Sequence, residues 1–153
     1  MPPLVLALLI GVVAGMRSMT APTAISWAAA AGWLPLKGSW LAWLGWWGTP
    51  WIFALLALGE LVADKLPTTP SRKSPPGFIG RLISGALCGA AIGLAASSLP
   101  LCLIAGVVGA VLGTFGGYAA RMALCRAFGT DLPAALVEDL AAIGIAAFAV
   151  ASL

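Results

Sequence analysis

Apolar positions dominate the chain in long runs, and the few polar positions fall mainly where those runs break. The first run, Pro3 to Gly32, is interrupted by GMRSMTAP, where Arg17 is followed by Pro22. Two geometries fit this interruption. One is a helix to about Thr20 followed by a shallower piece over 22–31; the other is a discontinuous span of two half-helices broken at Pro22. Thr49-Pro50 has the form of a helix start, and a second span then runs over 50–66 to stop before Pro67. At about sixteen residues it is short for a crossing, so tilt or local thinning must accommodate it.

The third span, 78–98, carries Gly85, Gly89 and Gly93 once per turn on one face. After Pro100 a fourth span, 101–126, continues the pattern with Gly106, Gly109, Gly113, Gly116 and Gly117. In lipid such stripes let helix backbones approach closely, so these two spans are expected to form the packed centre, and a homodimer through the glycine faces is expected. Thr130, Asp131 and Pro133 start a fifth span over 133–152. The fold class is therefore all-α: a transmembrane bundle of about five spans in a single domain, 1–153. The segment from Trp33 to Trp51 holds six of the seven tryptophans, Trp33, Trp40, Trp43, Trp46, Trp47 and Trp51. Indole rings prefer the headgroup level, which predicts an interfacial segment with a short amphipathic helix over 39–47.

Composition narrows the class further. Of 153 residues, 61% are hydrophobic and 8% charged, against about a quarter charged in a soluble domain, which excludes a soluble enzyme. Mean hydropathy is +1.06. The net charge of +3 comes from scattered basic residues that make no nucleic-acid footprint, so nucleic acid is dropped as a partner and membrane lipids are expected instead. Leu4 to Ala14 has the length of a signal-peptide core, but no basic residue precedes it and Arg17 follows, so it reads as a retained span. The hydrophilic loop 67–77, with Arg72 and Lys73 and with Lys65 just before it, is cytoplasmic by the positive-inside rule. Five spans then put the N-terminus in the cytoplasm and leave Lys37 as the main outside cation. A re-entrant first stretch would move the N-terminus to the other face.

Candidate chemistry is sparse. There is no His, which excludes imidazole-based metal sites and Ser-His or Cys-His catalysis; no cofactor or metal is expected. Cys88, Cys102 and Cys125 form no C-x-x-C and read as small packing residues. What remains is charge inside apolar spans, which costs about 2.5 to 3.5 kcal/mol per group at a helix centre. Glu60 and Asp64 share a helix face at i and i+4. With Arg121, Glu138 and Asp139 they can meet at one depth, lining a cytoplasm-side cavity that binds an ion or small solute. In the structural alternative, Arg121 and Arg81 neutralise the acids in register-setting salt bridges, and Asp64 and Arg81 snorkel to the interface. Arg17 lies deepest. It reads either as a substrate contact beside the helix break, with Ser18, Thr20 and Thr23, or as the counter-ion of Glu60.

An acid dyad for a membrane-embedded enzyme acting on a lipid needs two carboxylates sharing a proton. Adjacent Glu138 and Asp139 point about 100° apart and suit it poorly. A transporter or channel is therefore the leading reading, ahead of a structural or lipid-interacting protein and of an enzyme. Gly-rich stretches before Arg17 and Arg121, each followed by a helix with two acids, form a faint internal echo of the kind transporters show.

The motifs GMRSMTAPTAISWAA, GELVADKLPTTPSR with GRLISGALCGAAIG, and GGYAAR with EDLAAIG resemble the small bacterial membrane proteins catalogued as domain of unknown function 4126. The resemblance covers most of the chain outside the Trp-rich segment. It implies a multi-helix inner-membrane protein and adds weight to Arg17, Glu60, Asp64, Arg121, Glu138 and Asp139. It implies no substrate.

Overall fold

The computed structural model describes residues 1–66, 68 and 74–153, so most of the expected cytoplasmic loop, including Arg72 and Lys73, lies outside the described residues. All regular structure among the described residues is helical. The elements are α1 (Pro3–Met16), α2 (Thr20–Ala30), a 3-10 turn (Ala42–Gly45), α3 (Thr49–Ala63), α4 (Pro75–Ala95), α5 (Leu99–Phe128) and α6 (Asp131–Ala151). Three of these, α4, α5 and α6, are long and apolar enough to cross a membrane, while α1 and α3 are shorter apolar helices. The prolines fall in first turns, where a missing N–H is harmless: Pro50 in α3, Pro75 and Pro76 in α4, Pro100 in α5 and Pro133 in α6.

The centre is a three-helix unit of α1, α4 and α5, and glycine makes it possible. A Cβ at Gly106 would run into the Gly85 carbonyl, one at Gly11 into the Gly106 carbonyl, and one at Gly113 into the Val12 carbonyl. Gly89 meets Cys102, Gly93 meets Leu99, and Gly15 meets Ala110 and Thr114. The order of these contacts sets direction: α1 runs parallel to α5, and α4 runs antiparallel to it. The expected packed centre is thus present, with α1 as its third member. The stripes expected to join two copies face one another inside one chain.

The first apolar stretch does not cross as one helix. Met1, Pro3 and Leu6 border one small cavity with Trp33, Leu34, Ala95 and Leu153, so the residues after α2 return to the level where α1 began. α1 and α2 are therefore two half-helices of a hairpin, about 21 Å and 16 Å long at 1.5 Å per residue, with Arg17, Ser18 and Met19 at its tip. The break falls there rather than at Pro22, which sits in the first turn of α2. Both termini and the C-terminal end of α4 gather at one end of the bundle. The C-terminal end of α3 and the N-terminal end of α4 lie at the other, so the N-terminus and the start of α4 are at opposite ends, where a five-span count required one face. The faint internal echo is not confirmed: α1 ends after Met16, whereas α5 runs unbroken through Arg121.

The Trp-rich segment is a packed loop, and in place of the expected amphipathic helix it holds only the 3-10 turn. Leu34, Leu36, Leu41 and Leu44 are buried beneath it, while Trp33, Trp40, Trp46 and Trp47 stay exposed. The Ser26 hydroxyl donates to the Leu44 carbonyl at 2.6 Å and ties the segment to α2.

The glycine contacts carry a direct test. Gly106→Ala pushes a methyl group into the α4 backbone and is expected to cost about 1–3 kcal/mol by overpacking. Gly116 has open space around its Cβ position, so Gly116→Ala is expected to be neutral or to gain up to about 1 kcal/mol of helix propensity. Thermal unfolding of the two variants in detergent, read by loss of the monodisperse gel-filtration peak, checks the contrast.

Candidate functional site

The α1–α2 turn contains neither glycine nor proline; it is held open by side chains from other helices. Arg17 leaves helical geometry with φ −141° and ψ 108°. A break strands carbonyls at the end of α1 and amides at the start of α2, and each set must find partners. Thr114 of α5 donates to the Gly15 carbonyl at 3.3 Å and to its own Ala110 carbonyl at 2.8 Å. Ser84 of α4 donates to the Ser18 carbonyl at 2.6 Å. On the amide side, the Glu60 carboxylate of α3 accepts from Ser18 N–H at 2.8 Å, the Ser18 hydroxyl at 2.7 Å and Met19 N–H at 2.8 Å. A carboxylate there also faces the positive end of the α2 dipole.

Arg17 is fully buried at the tip of this turn. Its Nη1 donates to Asp64 Oδ2 of α3, its Nη2 pairs with Asp139 Oδ1 of α6, and Glu138 Oε2 stands 4.0 Å away. Carboxylates from two different parts of the chain thus meet its two terminal nitrogens. Lys65 joins from the end of α3, its Nζ 2.7 Å from Asp139 Oδ2 and 3.0 Å from the Leu61 carbonyl. Arg121 makes a two-pronged bond to Asp131, at 2.9 Å and 2.6 Å, and lies 3.6 Å from Glu138. The cluster therefore runs from Glu60, on the amides beside Arg17, through Arg17 and Glu138 to Arg121 and Asp131, and all five acids of the chain belong to it.

All six residues expected to form the site are brought together: Arg17, Glu60, Asp64, Arg121, Glu138 and Asp139. The pairing differs from expectation in three respects. Arg17 pairs with Asp64 and Asp139, because the amides at the hairpin tip already claim Glu60. Arg121 binds Asp131 first, across the tight turn at Gly129, whose φ of 72° lets α6 fold back on α5. Asp64 and Arg81 do not snorkel: Asp64 is on Arg17, and Arg81 is buried on α4.

Lys65 and Asp131 belong to the cluster but read in the sequence as a loop cation and a helix cap. The one signal for Asp131 was its spacing, ten residues after Arg121 across a Gly-Thr turn. Nothing local marked Ser84 or Thr114. Thr20 and Thr23 line an apolar groove of about 430 Å³ between α2, α3 and α6, and the Thr23 hydroxyl is committed to the Met19 carbonyl at 2.7 Å.

Asp64 and Asp139 meet opposite nitrogens of one guanidinium, which is the arrangement of counter-ions and not of a dyad sharing a proton. No group of three or more His, Cys, Asp or Glu side chains among the described residues is placed to hold a metal ion. No protein-family model, curated protein or solved structure matches the chain.

Removing the central cation tests whether it holds the cluster. Arg17→Met keeps the volume but leaves Asp64 and Asp139 facing each other in a buried site, with an expected loss of about 3–5 kcal/mol. Adding Asp64→Asn to Arg17→Met is expected to recover part of that loss. Arg126→Met, at an exposed position, is expected to stay within about 0.5 kcal/mol of the parent. Denaturant unfolding of the four proteins checks the series.

Proposed function

We propose that this chain is a small integral membrane transporter or channel for an ion or small solute, working through the Arg17-centred carboxylate cluster. The observation that carries the reading is the broken helix. Glu60 occupies the bare amides of α2 at a turn that lies level with Thr114, near mid-length of a helix about 45 Å long. Half-helix ends facing each other near the midplane are how membrane proteins bring backbone dipoles to an ion or solute.

The mechanism follows from how α3 is attached. Among the described residues α3 packs chiefly on α2 and the 3-10 turn, whereas α1, α4 and α5 interlock through glycine. Its N-terminal end is pinned by apolar contacts, with Trp27 and Trp51 ring centroids 5.1 Å apart and the Thr49 hydroxyl donating to Trp43 O at 2.8 Å. Its C-terminal end is held by Glu60, Asp64 and Lys65. Neutralising Glu60 and Asp64 with a proton or a cation removes that hold, and α3 swings away from the hairpin tip. A bound ion thus shifts the bundle between two packings because it binds them unequally.

In this reading the protein sits in a bacterial inner membrane, as the resemblance to domain of unknown function 4126 implies. Positive-inside reasoning keeps the α3–α4 connection cytoplasmic and therefore places both termini outside. Gly85, Gly89, Gly93, Gly106, Gly109 and Gly113 are taken up by contacts within the chain, which leaves Gly116 as the open glycine of the α5 stripe for the homodimer the sequence suggested. One observation favours the structural alternative: Asp64, Asp131, Glu138 and Asp139 each stand beside a cation.

A flux screen in proteoliposomes separates the two. Protons, monovalent cations and small amine or carboxylate solutes are offered to the parent, to Glu60→Gln and to empty vesicles. Transport predicts that at least one species moves faster than through empty vesicles. It also predicts that Glu60→Gln slows that species about tenfold, as loss of charged hydrogen bonds of about 1.4 kcal/mol would. Equal flux in parent and Glu60→Gln, or no flux above empty vesicles, overturns the proposal in favour of an anchored scaffold.

A further inference from the structure

The end of the bundle opposite the cluster is almost free of charged side chains. All five acids lie in the cluster, and Lys37 is the one charged side chain in the Trp-rich loop. There the loop encloses a cavity of about 630 Å³, lined by Gly32, Leu36, Lys37, Trp43, Gly45 and Trp46 among others. The cavity is built rather than incidental. Gly32 and Gly38 take φ of 81° and 84°, backbone angles that let the loop curl back. The Ser39 hydroxyl donates to Leu36 O at 2.7 Å and accepts from Leu41 N–H at 3.3 Å, and four buried leucines fix the loop from below. Trp43 and Trp46 are half-exposed at its wall.

We propose that this cavity is a headgroup site for an anionic glycerophospholipid, with the lipid phosphate on the Lys37 ammonium and the glycerol region against Trp43 and Trp46. Charge complementarity selects the occupant: the loop offers one exposed cation and no carboxylate. The surrounding indoles favour the headgroup layer over bulk water, so the phosphate is that of a lipid and not a free ion. The proposal rests on the membrane reading but not on transport.

The test uses the full chain in detergent, titrated separately with phosphatidylglycerol and phosphatidylcholine and read by native mass spectrometry. One lysine at a membrane surface contributes about a fivefold preference for an anionic lipid. Lys37→Gln is therefore expected to lower phosphatidylglycerol binding about fivefold while phosphatidylcholine binding stays unchanged. Lys37→Arg and Arg126→Gln are expected to keep the parent's binding, the latter because Arg126 stands at the other end. Unchanged phosphatidylglycerol binding in Lys37→Gln overturns the proposal and leaves the flux result untouched. Displacement of the lipid by inorganic phosphate at equal concentration also overturns it, in favour of a free-anion site. Lys37 is exposed, so these substitutions do not threaten the fold.

Discussion

A guanidinium with no solvent contact must be surrounded by negative charge, and that requirement at Arg17 organises the lower half of this molecule. The two carboxylates that touch it come from helices that meet little else in common, α3 and α6. Their convergence fixes where α3 ends, how far α6 rises beside α1, and why the chain turns after Met16. Burying a single charge costs far more than one hydrogen bond returns, so such a residue survives only where its partners arrive together. Four of the five acids gather around it directly or through Arg121, and the fifth, Glu60, caps the turn beside it.

The glycine contacts make that burial geometrically possible. A 14-residue helix could not carry Arg17 to mid-length of α5 and stay dry unless its backbone lay almost against that of α5. Gly11 and Gly15 on one side, with Gly106, Gly109 and Gly113 on the other, permit that approach. Lipid supplies no hydrophobic drive between helices, so close van der Waals packing does this work. The rigid unit then presents Thr114 and Ser84 at the height where the stranded carbonyls of the turn need donors. Core and site are one construction, and loosening the glycine packing would misplace the donors that keep the turn closed.

How much of this could be read beforehand depended on whether the signal was local. The glycine stripes, the long apolar helices and the depth of the acids were legible because each is a periodicity or a spacing within one segment. The turn position was not. Pro22 is the strongest local breaker nearby, yet a proline in a first turn costs nothing, and the real break is made by Glu60 forty residues away. The hairpin reversal stayed one of two open alternatives for the same reason, since fourteen apolar residues do not reveal whether the next eleven continue or return. Lys65 and Asp131 looked like loop and cap because their partners are distant in sequence or lie across a turn. The Trp-rich segment misled through its spacing: Trp40, Trp43 and Trp47 fit a helical face, but burial of Leu41 and Leu44 beneath them decided the backbone.

The two ends of α3 are bound by different forces, and they respond to different conditions. Aromatic and apolar contacts at Trp27, Trp51 and Phe53 do not depend on protonation or on ions, whereas the contacts of Glu60, Asp64 and Lys65 do. A rod fixed by a neutral contact at one end and by charges at the other is a lever with its pivot already chosen. The charge-held end is the one beside the buried guanidinium, and an apolar groove shared with α2 and α6 runs along the helix. In the transport reading, moving that end would expose the amides of α2 and the guanidinium together, so one displacement would open both features to a charged solute.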